Sequence, residues 1–331
     1  EYNMTFLDVE KNGVEVSLAP VEEGQQLGVL FWATIRELRI EPSRLTNILT
    51  ATIGEKYMPT PLTPRDAFRR ATGRLEKKGI DLPNGTTLNL LVRPVTNSGA
   101  DLVRHLVREI VDTNNKRLEY KPVIEFTIGH GGHPRTRDLG PLGPAETPSL
   151  SEFTTYFLQE TSAYSAQFIR LIIQDFLKSV QALTVRPSGG VYFIPAFHWA
   201  QVETLKQFIS ALDQYQEKGP SRAFTVPVIS DAEQKTMVEI SLQDQVAKAS
   251  QEMIREAKTI IIAAKKKGKP IGAERFKTFV KHSREMSNLA NTYRAFLGLE
   301  QDKLEGTLEV VAQTAEIMAT NANITLEEAV A

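Results

Sequence analysis

Residues 102–129 read LVRHLVREIVDTNNKRLEYKPVIEFTIG, and this stretch decides the fold class. It consists of two runs of apolar and charged residues joined by the turn-forming segment Asp112-Thr113-Asn114-Asn115-Lys116. That pattern is typical of two antiparallel strands connected by a hairpin turn. The preceding run TLNLLVRPV, residues 87–95, has the same character. The sequence therefore predicts a three-stranded antiparallel meander.

Three further strands are expected before the meander, the first two of them in a hairpin. Residues 5–20, TFLDVEKNGVEVSLAP, alternate about Asn12-Gly13, and this dipeptide between alternating runs indicates a hairpin. LGVLFWATIREL, residues 27–38, predicts a third strand, although its apolar run fits a short buried helix equally by periodicity.

Capping residues predict two helices between these strands and the meander. One begins at Glu41-Pro42-Ser43 and continues to about Thr50. The other begins at Thr63 and Pro64, which supply an N-cap and a first-turn proline, and is expected to end at Gly79.

The composition changes at residues 129–148, GHGGHPRTRDLGPLGPAETP. Glycine and proline are so frequent there that we expect no regular element and place a domain boundary in this stretch. His130 and His133 lie near Asp138, but two histidines do not complete a metal site, so no metal is expected. The predicted division is a mixed α+β domain (1–130), a Gly/Pro-rich loop or linker (131–148), a helix–hairpin–helix–strand element (149–230), and a helical hairpin plus C-terminal helix (231–331).

The central element contains VRPSGGVYFIPAFHW, residues 185–199. Neither a nucleotide-binding P-loop nor a dinucleotide-binding glycine pattern matches Ser188-Gly189-Gly190, so a turn between two strands is favoured. A helix is predicted on each side, at about 149–182 and 197–216. Because side chains alternate along a strand, one face of VYFIP is expected in the core and the other exposed.

This hairpin has two possible functional interpretations, which are alternatives to simple packing in the core. One is an aromatic binding surface formed by Tyr192, Phe197 and Trp199. The other is a winged-helix DNA reader, in which Arg186 and Arg222 contact phosphates. Packing of the hairpin between two helices is favoured over both, because large apolar residues usually lie in cores.

Three amphipathic helices are predicted after Asp231. Apolar residues recur there at steps of three and four, which places them on one stripe of each helix. Gly268 ends the first helix and Pro270 delays the second. The stripes are Val238, Leu242, Val246, Ala249, Met253, Ala257, Ile260 and Ala264; then Phe276, Phe279, Ser283, Met286, Ala290, Tyr293 and Leu297; then Leu304, Leu308, Val311, Ala315 and Met318.

Several function classes are excluded or disfavoured by composition. There is no cysteine, which excludes disulfides, thiolate metal sites and cysteine nucleophiles and fits a cytoplasmic protein. The net charge of −1 argues against a globally basic nucleic-acid binder, and no run approaches the apolar length of a membrane span. No hydrolase, metalloprotease or β-lactamase motif is present. We expect no cofactor and no membrane partner, and an enzyme is disfavoured.

Charge is segregated along the chain, and this is the most informative functional signal. Cations outnumber carboxylates between Arg36 and Lys78 and again around residues 255–284, whereas acidic residues dominate from Glu300 onwards. Opposite charges at two ends suit contact between copies, or a basic tip for an anionic polymer. The candidate anion or partner contacts are Arg65, Arg69, Arg70, Arg74, Arg135, Arg137, Arg186, Lys265, Lys266, Lys267 and Lys269.

The sequence thus predicts an α+β protein with an N-terminal antiparallel-sheet domain, a central helix–β-hairpin–helix element and a C-terminal helical hairpin or coiled-coil-like bundle. The favoured function is a non-enzymatic interaction or self-assembling protein that uses the C-terminal helical hairpin, as a homo-oligomer or with a protein partner. The alternative is nucleic-acid binding through the basic helix 64–78 and the lysine-rich tip 265–269. An enzyme whose site is not readable from sequence is the third.

Overall fold

A computed structural model describes residues 22–96, 99–186, 188–216, 219–299 and 302–322. The hairpin predicted at 5–20 lies outside these residues. The described chain is a mixed α+β protein with antiparallel sheets and C-terminal helices, as the sequence predicts. It divides into two compact units, and both are discontinuous in sequence. We call residues 34–176 and 204–222 the sheet unit, and the described residues of 1–33, 177–203 and 223–331 the helical unit.

The sheet unit contains the predicted meander, extended by one strand at each edge. Five antiparallel strands lie in the order β3-β4-β5-β6-β7. The central hairpin closes as expected, because Asp112 Oδ1 accepts hydrogen bonds from the backbone amides of Asn114 and Lys116, and Asn115 adopts a left-handed φ of 59°. The strands are β3 (Lys77–Asp81), β4 (Thr87–Thr96), β5 (Leu102–Val111), β6 (Arg117–Ile128) and β7 (Pro134–Asp138).

Both edge strands correct the sequence interpretation. Residues 134–138, predicted as part of a loop or linker, pair with residues 124–128 of β6, and the segment lies inside the sheet unit. The helix predicted to end at Gly79 ends at Gly73, and residues 77–81 pair with β4. In both places the neighbouring strand offers a ladder of backbone hydrogen bonds, which outweighs the local propensity of a short polar segment.

Helices cover one face of this sheet. Phe68, Phe126 and Phe153 meet in its core, with ring centroids 5.9 Å and 4.7 Å apart for the Phe68–Phe153 and Phe126–Phe153 pairs. The single helix predicted over 149–182 is broken at residues 163–165, where Tyr164-Ser165 pairs with Arg39-Ile40. The remaining elements are β2 (Arg39–Ile40), α1 (Pro42–Ala51), α2 (Pro64–Gly73), α3 (Pro148–Ser162), β8 (Tyr164–Ser165), α4 (Ala166–Ser179) and α5 (Trp199–Ala211).

The helical unit begins with a four-stranded sheet in the order β11-β1-β10-β9. Of the segment predicted as a strand at 27–38, residues 27–34 are in a strand, and the predicted turn at Gly189 and Gly190 closes a hairpin between β9 and β10. Phe193 and Ile194 are both fully buried, so the expectation of one exposed face on this strand is wrong. The strands are β1 (Gln26–Thr34), β9 (Leu183–Thr184), β10 (Tyr192–Pro195) and β11 (Arg222–Ile229).

Three long helices complete this unit: α6 (Ala232–Lys267), α7 (Ala273–Leu297) and α8 (Asp302–Ala322). Most residues of the predicted stripes are buried, and the others are partly buried in the same core or half-buried. The amide of Ile271 donates to the carbonyl oxygen of Asn321 at 3.0 Å, which places the end of α8 beside the start of α7. The helices therefore run up, down and up, with the α6–α7 turn and the end of α8 at one end.

The four-part division predicted from sequence differs from these two units. Strand β1 pairs with β10, so that Gly28 lies opposite Pro195 and Phe31 opposite Tyr192. Such long-range pairing leaves no local signal in the sequence. Close packing marks the contact, because a Cβ at Gly28 would collide with the Ile194 carbonyl oxygen and the Phe193 ring.

Candidate functional site

The arginines predicted on the basic helix 64–78 contact other side chains of the sheet unit. Glu160, on α3, is almost buried and is surrounded by Arg39, Arg70 and Arg74. Its carboxylate oxygens lie 3.2 Å, 2.9 Å and 3.3 Å from the nearest guanidinium nitrogens of these three residues. Arg74 also lies over the ring of Tyr156, 3.8 Å from its centroid. These contacts join α2 to α3 and occupy the side chains that the sequence assigned to a ligand.

The two arginines in the first turns of α2 are more exposed but also have partners. Arg69 pairs with Asp66 at 2.7 Å, and Arg65 donates to the carbonyl oxygen of Gly99 at 3.0 Å. A hydrogen bond from Thr63 holds the pKa of the Asp66 carboxyl below its ordinary value, against a smaller opposing effect of burial and with help from Arg69. The start of α2 is thus an N-capped helix end.

Arg135 and Arg137 lie on edge strand β7, and both are exposed. Arg137 pairs with Glu125 at 3.0 Å, and Glu125 also accepts a hydrogen bond from His105 at 3.2 Å. Burial raises the pKa of Glu125, but the His105 hydrogen bond and the Arg137 charge outweigh it, so the pKa lies below its ordinary value. Together with Arg93, these side chains form a cross-strand row in register over β4 to β7. Within this row, Glu125 is the shared partner of His105 and Arg137.

The three residues of the predicted aromatic surface differ in their exposure. Phe197 packs edge-on against Phe296 of α7, with ring centroids 5.4 Å apart, and Tyr192 is half-buried. Trp199 is exposed to 44%. Arg186 is exposed beside the hairpin turn, where its carbonyl oxygen accepts from the amide of Gly189.

The lysine tip, residues 265–269, is placed as the sequence predicts. Gly268 ends α6 with a left-handed φ of 59°. The four lysines of the tip are exposed. Residues 257–273 contain five lysines and no carboxylate. Within the described part of the chain, no carboxylate forms an ion pair with any of these five. The α6–α7 turn therefore carries a concentrated and uncompensated positive charge.

A second feature of α6 was missed by the sequence analysis. Ile262 is 66% exposed, and the residues seven and four before it and three and four after it are Arg255, Lys258, Lys265 and Lys266. At these spacings, side chains share one side of a helix. All five side chains are exposed, and we call them the basic face. The basic face could have been predicted from sequence by considering charged residues, as well as apolar ones, at helical spacing around Ile262.

The outer side of α8 has the opposite character. Val310 and Ile317 are 46% and 54% exposed, and each follows an exposed glutamate, Glu309 or Glu316. We call these four residues the acidic face. Residues 304–322 contain three glutamates and neither lysine nor arginine. On α8, two exposed apolar residues thus lie seven positions apart, and each has a glutamate directly before it.

A protein-family model matches residues 26–324, which are most of the chain. The chain belongs to DUF6744, a family of unknown function. Neither the curated proteins nor the solved structures contain a match to it. The matched span of DUF6744 includes the basic face, the lysine tip and the acidic face.

A cavity in the helical unit lies between α6 and α7 and has a volume of about 310 Å³. Its lining carries carboxylates and cations together, so it shows no preference for a ligand of one charge. In the described parts of this DUF6744 chain, no cluster of three or more metal-ligating side chains occurs. No described helix has both the length and the apolar character of a membrane span. The cavity is lined by Met253, Glu256, Ile260, Glu274, Arg275, Thr278, Phe279 and His282.

Proposed function

We propose that this protein is a self-associating interaction protein and that the helical unit forms the contact between copies. The observation that carries the proposal is the separation of charge on one rigid bundle. The lysines at the end of α6 and in the α6–α7 turn are exposed, and residues 257–273 contain no carboxylate, while the outer side of α8 is acidic. Complementary surfaces on one molecule attract a second copy and set its orientation.

The structure of α6 and α8 supports an intermolecular contact. Their apolar stripes contribute to one core, which includes Met253 on α6 and Val311 on α8. Ile262 follows Met253 by nine residues, about half a turn of helix from the buried stripe. The basic face therefore lies on the exposed side of α6, away from this stripe, where a second copy can contact it.

The first test replaces Lys265, Lys266, Lys267 and Lys269 together by glutamine. If the tip docks on an acidic surface, self-association should weaken about tenfold, because several surface ion pairs of a few tenths of a kcal/mol each are lost. Sedimentation equilibrium over a range of protein concentrations measures the effect. Raising the salt concentration should weaken the wild-type association in the same way.

A matched control carries the same four-charge change on the sheet unit. Lys56, Lys78, Lys116 and Lys121 are exposed, and their replacement by glutamine should leave the mass unchanged. A wild-type protein that stays monomeric at every concentration would refute the proposed function.

Nucleic-acid binding is the second candidate, and it rests on the lysine tip alone, because Arg70 and Arg74 contact Glu160. If it is the function, the four-glutamine variant should bind a labelled oligonucleotide more weakly and with a flatter salt dependence, since fewer counterions are released. Its mass should then equal that of the wild type. Fluorescence anisotropy at several salt concentrations separates this outcome from self-association.

A further inference from the structure

The basic face and the acidic face have matching spacings. Lys258 and Lys265 on α6 are seven residues apart, and so are Glu309 and Glu316 on α8. Seven residues of helix span about 10.5 Å, so both pairs of charges have the same separation along their helices. Two helices lying side by side can therefore form both ion pairs at once.

Exposed apolar residues fit the same arrangement. Ile262 lies between Lys258 and Lys265 along α6, and Val310 and Ile317 lie next to the two glutamates of α8. All three are exposed to between 46% and 66%. A contact that aligns the charges also places Ile262 in the gap between Val310 and Ile317. Burial of these side chains contributes to association, while the charges set the register.

Both faces are exposed on a single copy of the chain. Val310 and Ile317 each precede by one residue a side chain buried in the bundle core, Val311 and Met318. One residue corresponds to a rotation of about 100° around an α-helix, so Val310 and Ile317 are directed about 100° away from the side chains that face the core. Because the basic face lies about half a turn from the α6 stripe, both faces are open to another molecule.

We propose that the acidic face of one copy packs against the basic face of a second copy, with Glu309 and Glu316 paired to Lys258 and Lys265. This inference rests on the proposed function and specifies its contact. The contact is heterologous, because one copy contributes α6 and the other α8. A pair of copies retains one unused face of each kind, so assembly continues until a ring closes or an open chain forms.

The test uses charge reversal on each face and on both. K258E/K265E and E309K/E316K should each reduce association of the full-length protein at least about tenfold, because like charges then oppose each other in the contact. The chain that carries all four substitutions should regain wild-type association, since the signs again match. An equimolar mixture of the two single-face variants should also associate, with the variants in alternating order, because their unaltered faces match each other and so do their two reversed faces. Sedimentation measures all four samples.

A matched control lies on α7, where Lys277 and Arg284 are exposed and also seven residues apart. K277E/R284E should associate like the wild type. Far-UV circular dichroism checks that each variant is folded, and K258Q/K265Q replaces the reversal if that variant loses helix.

Two outcomes overturn the inference and leave the proposed function standing. One is wild-type association of both single-face variants. The other is a folded four-substitution chain that stays monomeric while the wild type associates. A monomeric wild type removes the proposed function itself, and the inference with it.

Discussion

Glu160 shows how one residue changes the meaning of a charged segment. The sequence shows four arginines on a short helix, a pattern typical of a surface that binds phosphate. Glu160 lies more than 80 residues further along the chain and brings Arg39, Arg70 and Arg74 together around a side chain that is only 5% exposed. A buried carboxylate needs such partners, because desolvation of an unpaired charge is costly.

We expect Glu160→Gln to lower the free energy of unfolding of the sheet unit by about 3 kcal/mol, because it leaves three partly buried guanidinium groups without their shared counter-charge. Urea denaturation followed by circular dichroism measures the change. The control is Glu41→Gln, which removes an ion pair with Arg44 between side chains that are 58–63% exposed. That loss should be below about 1 kcal/mol. Equal effects of the two substitutions would contradict the role assigned to Glu160.

Tyr293 makes the stability of the helical unit depend on pH. Its side chain is fully buried, and its hydroxyl donates to the carbonyl oxygen of Gln181 at 2.8 Å. Burial raises the pKa of this phenol well above 10.0 in the folded protein. Because the unfolded chain ionises first, the stability that this residue contributes is present below pH 10 and is lost as the pH rises above it.

Tyr293→Phe should therefore flatten the alkaline part of the stability profile. At pH 8 the variant should be less stable by about 1 kcal/mol, since the hydrogen bond to Gln181 is lost. Between pH 10 and pH 11 the difference from the wild type should shrink. Unfolding free energies of both proteins at these pH values provide the test, and a constant difference across the range would count against the assignment.

At the scale of elements, the periodic segments were predicted correctly from the sequence, whereas the elements that depend on pairing with a distant strand were not. The meander and the three C-terminal helices follow from patterns that repeat over ten or more residues. Strand β7 and the break at residues 163–165 depend instead on partners, β6 and β2, that supply hydrogen bonds from elsewhere in the chain. The candidate site divides in the same way. The lysine tip was visible in sequence, whereas the loss of Arg70 and Arg74 to Glu160 was not.

The bundle of α6, α7 and α8 gives a prediction at this scale. Met286 is buried, and its sulfur lies 3.2 Å from the hydroxyl of Ser250 on α6. Met286→Asp places an unpaired carboxylate in this contact and should cost several kcal/mol of stability. Asn288→Asp adds the same charge at an exposed position of the same helix and serves as the control. Similar thermal melting of the two variants would show that this helix contact does not support the fold.

For the whole molecule, the class of fold can be predicted from the sequence, whereas the two compact units combine segments that are far apart in it. Composition and periodicity indicate an α+β protein, and the structure agrees. The boundary predicted near residues 131–148 lies inside the sheet unit, while the helical unit gathers three separated segments. No window of sequence contains both β1 and its partner β10, so local patterns cannot reveal that they pair.

The pairing of β1 with β10 also has a consequence for synthesis of the protein. Strand β1 ends at Thr34, and β10 begins at Tyr192. A ribosome that adds about 5–20 residues per second needs on the order of 10–30 seconds to cover that interval. During that time Leu27, Val29 and Phe31 of β1, which are buried in the folded protein, have no partner strand on the nascent chain. Conditions that slow elongation should therefore increase the demand for chaperones at this first strand.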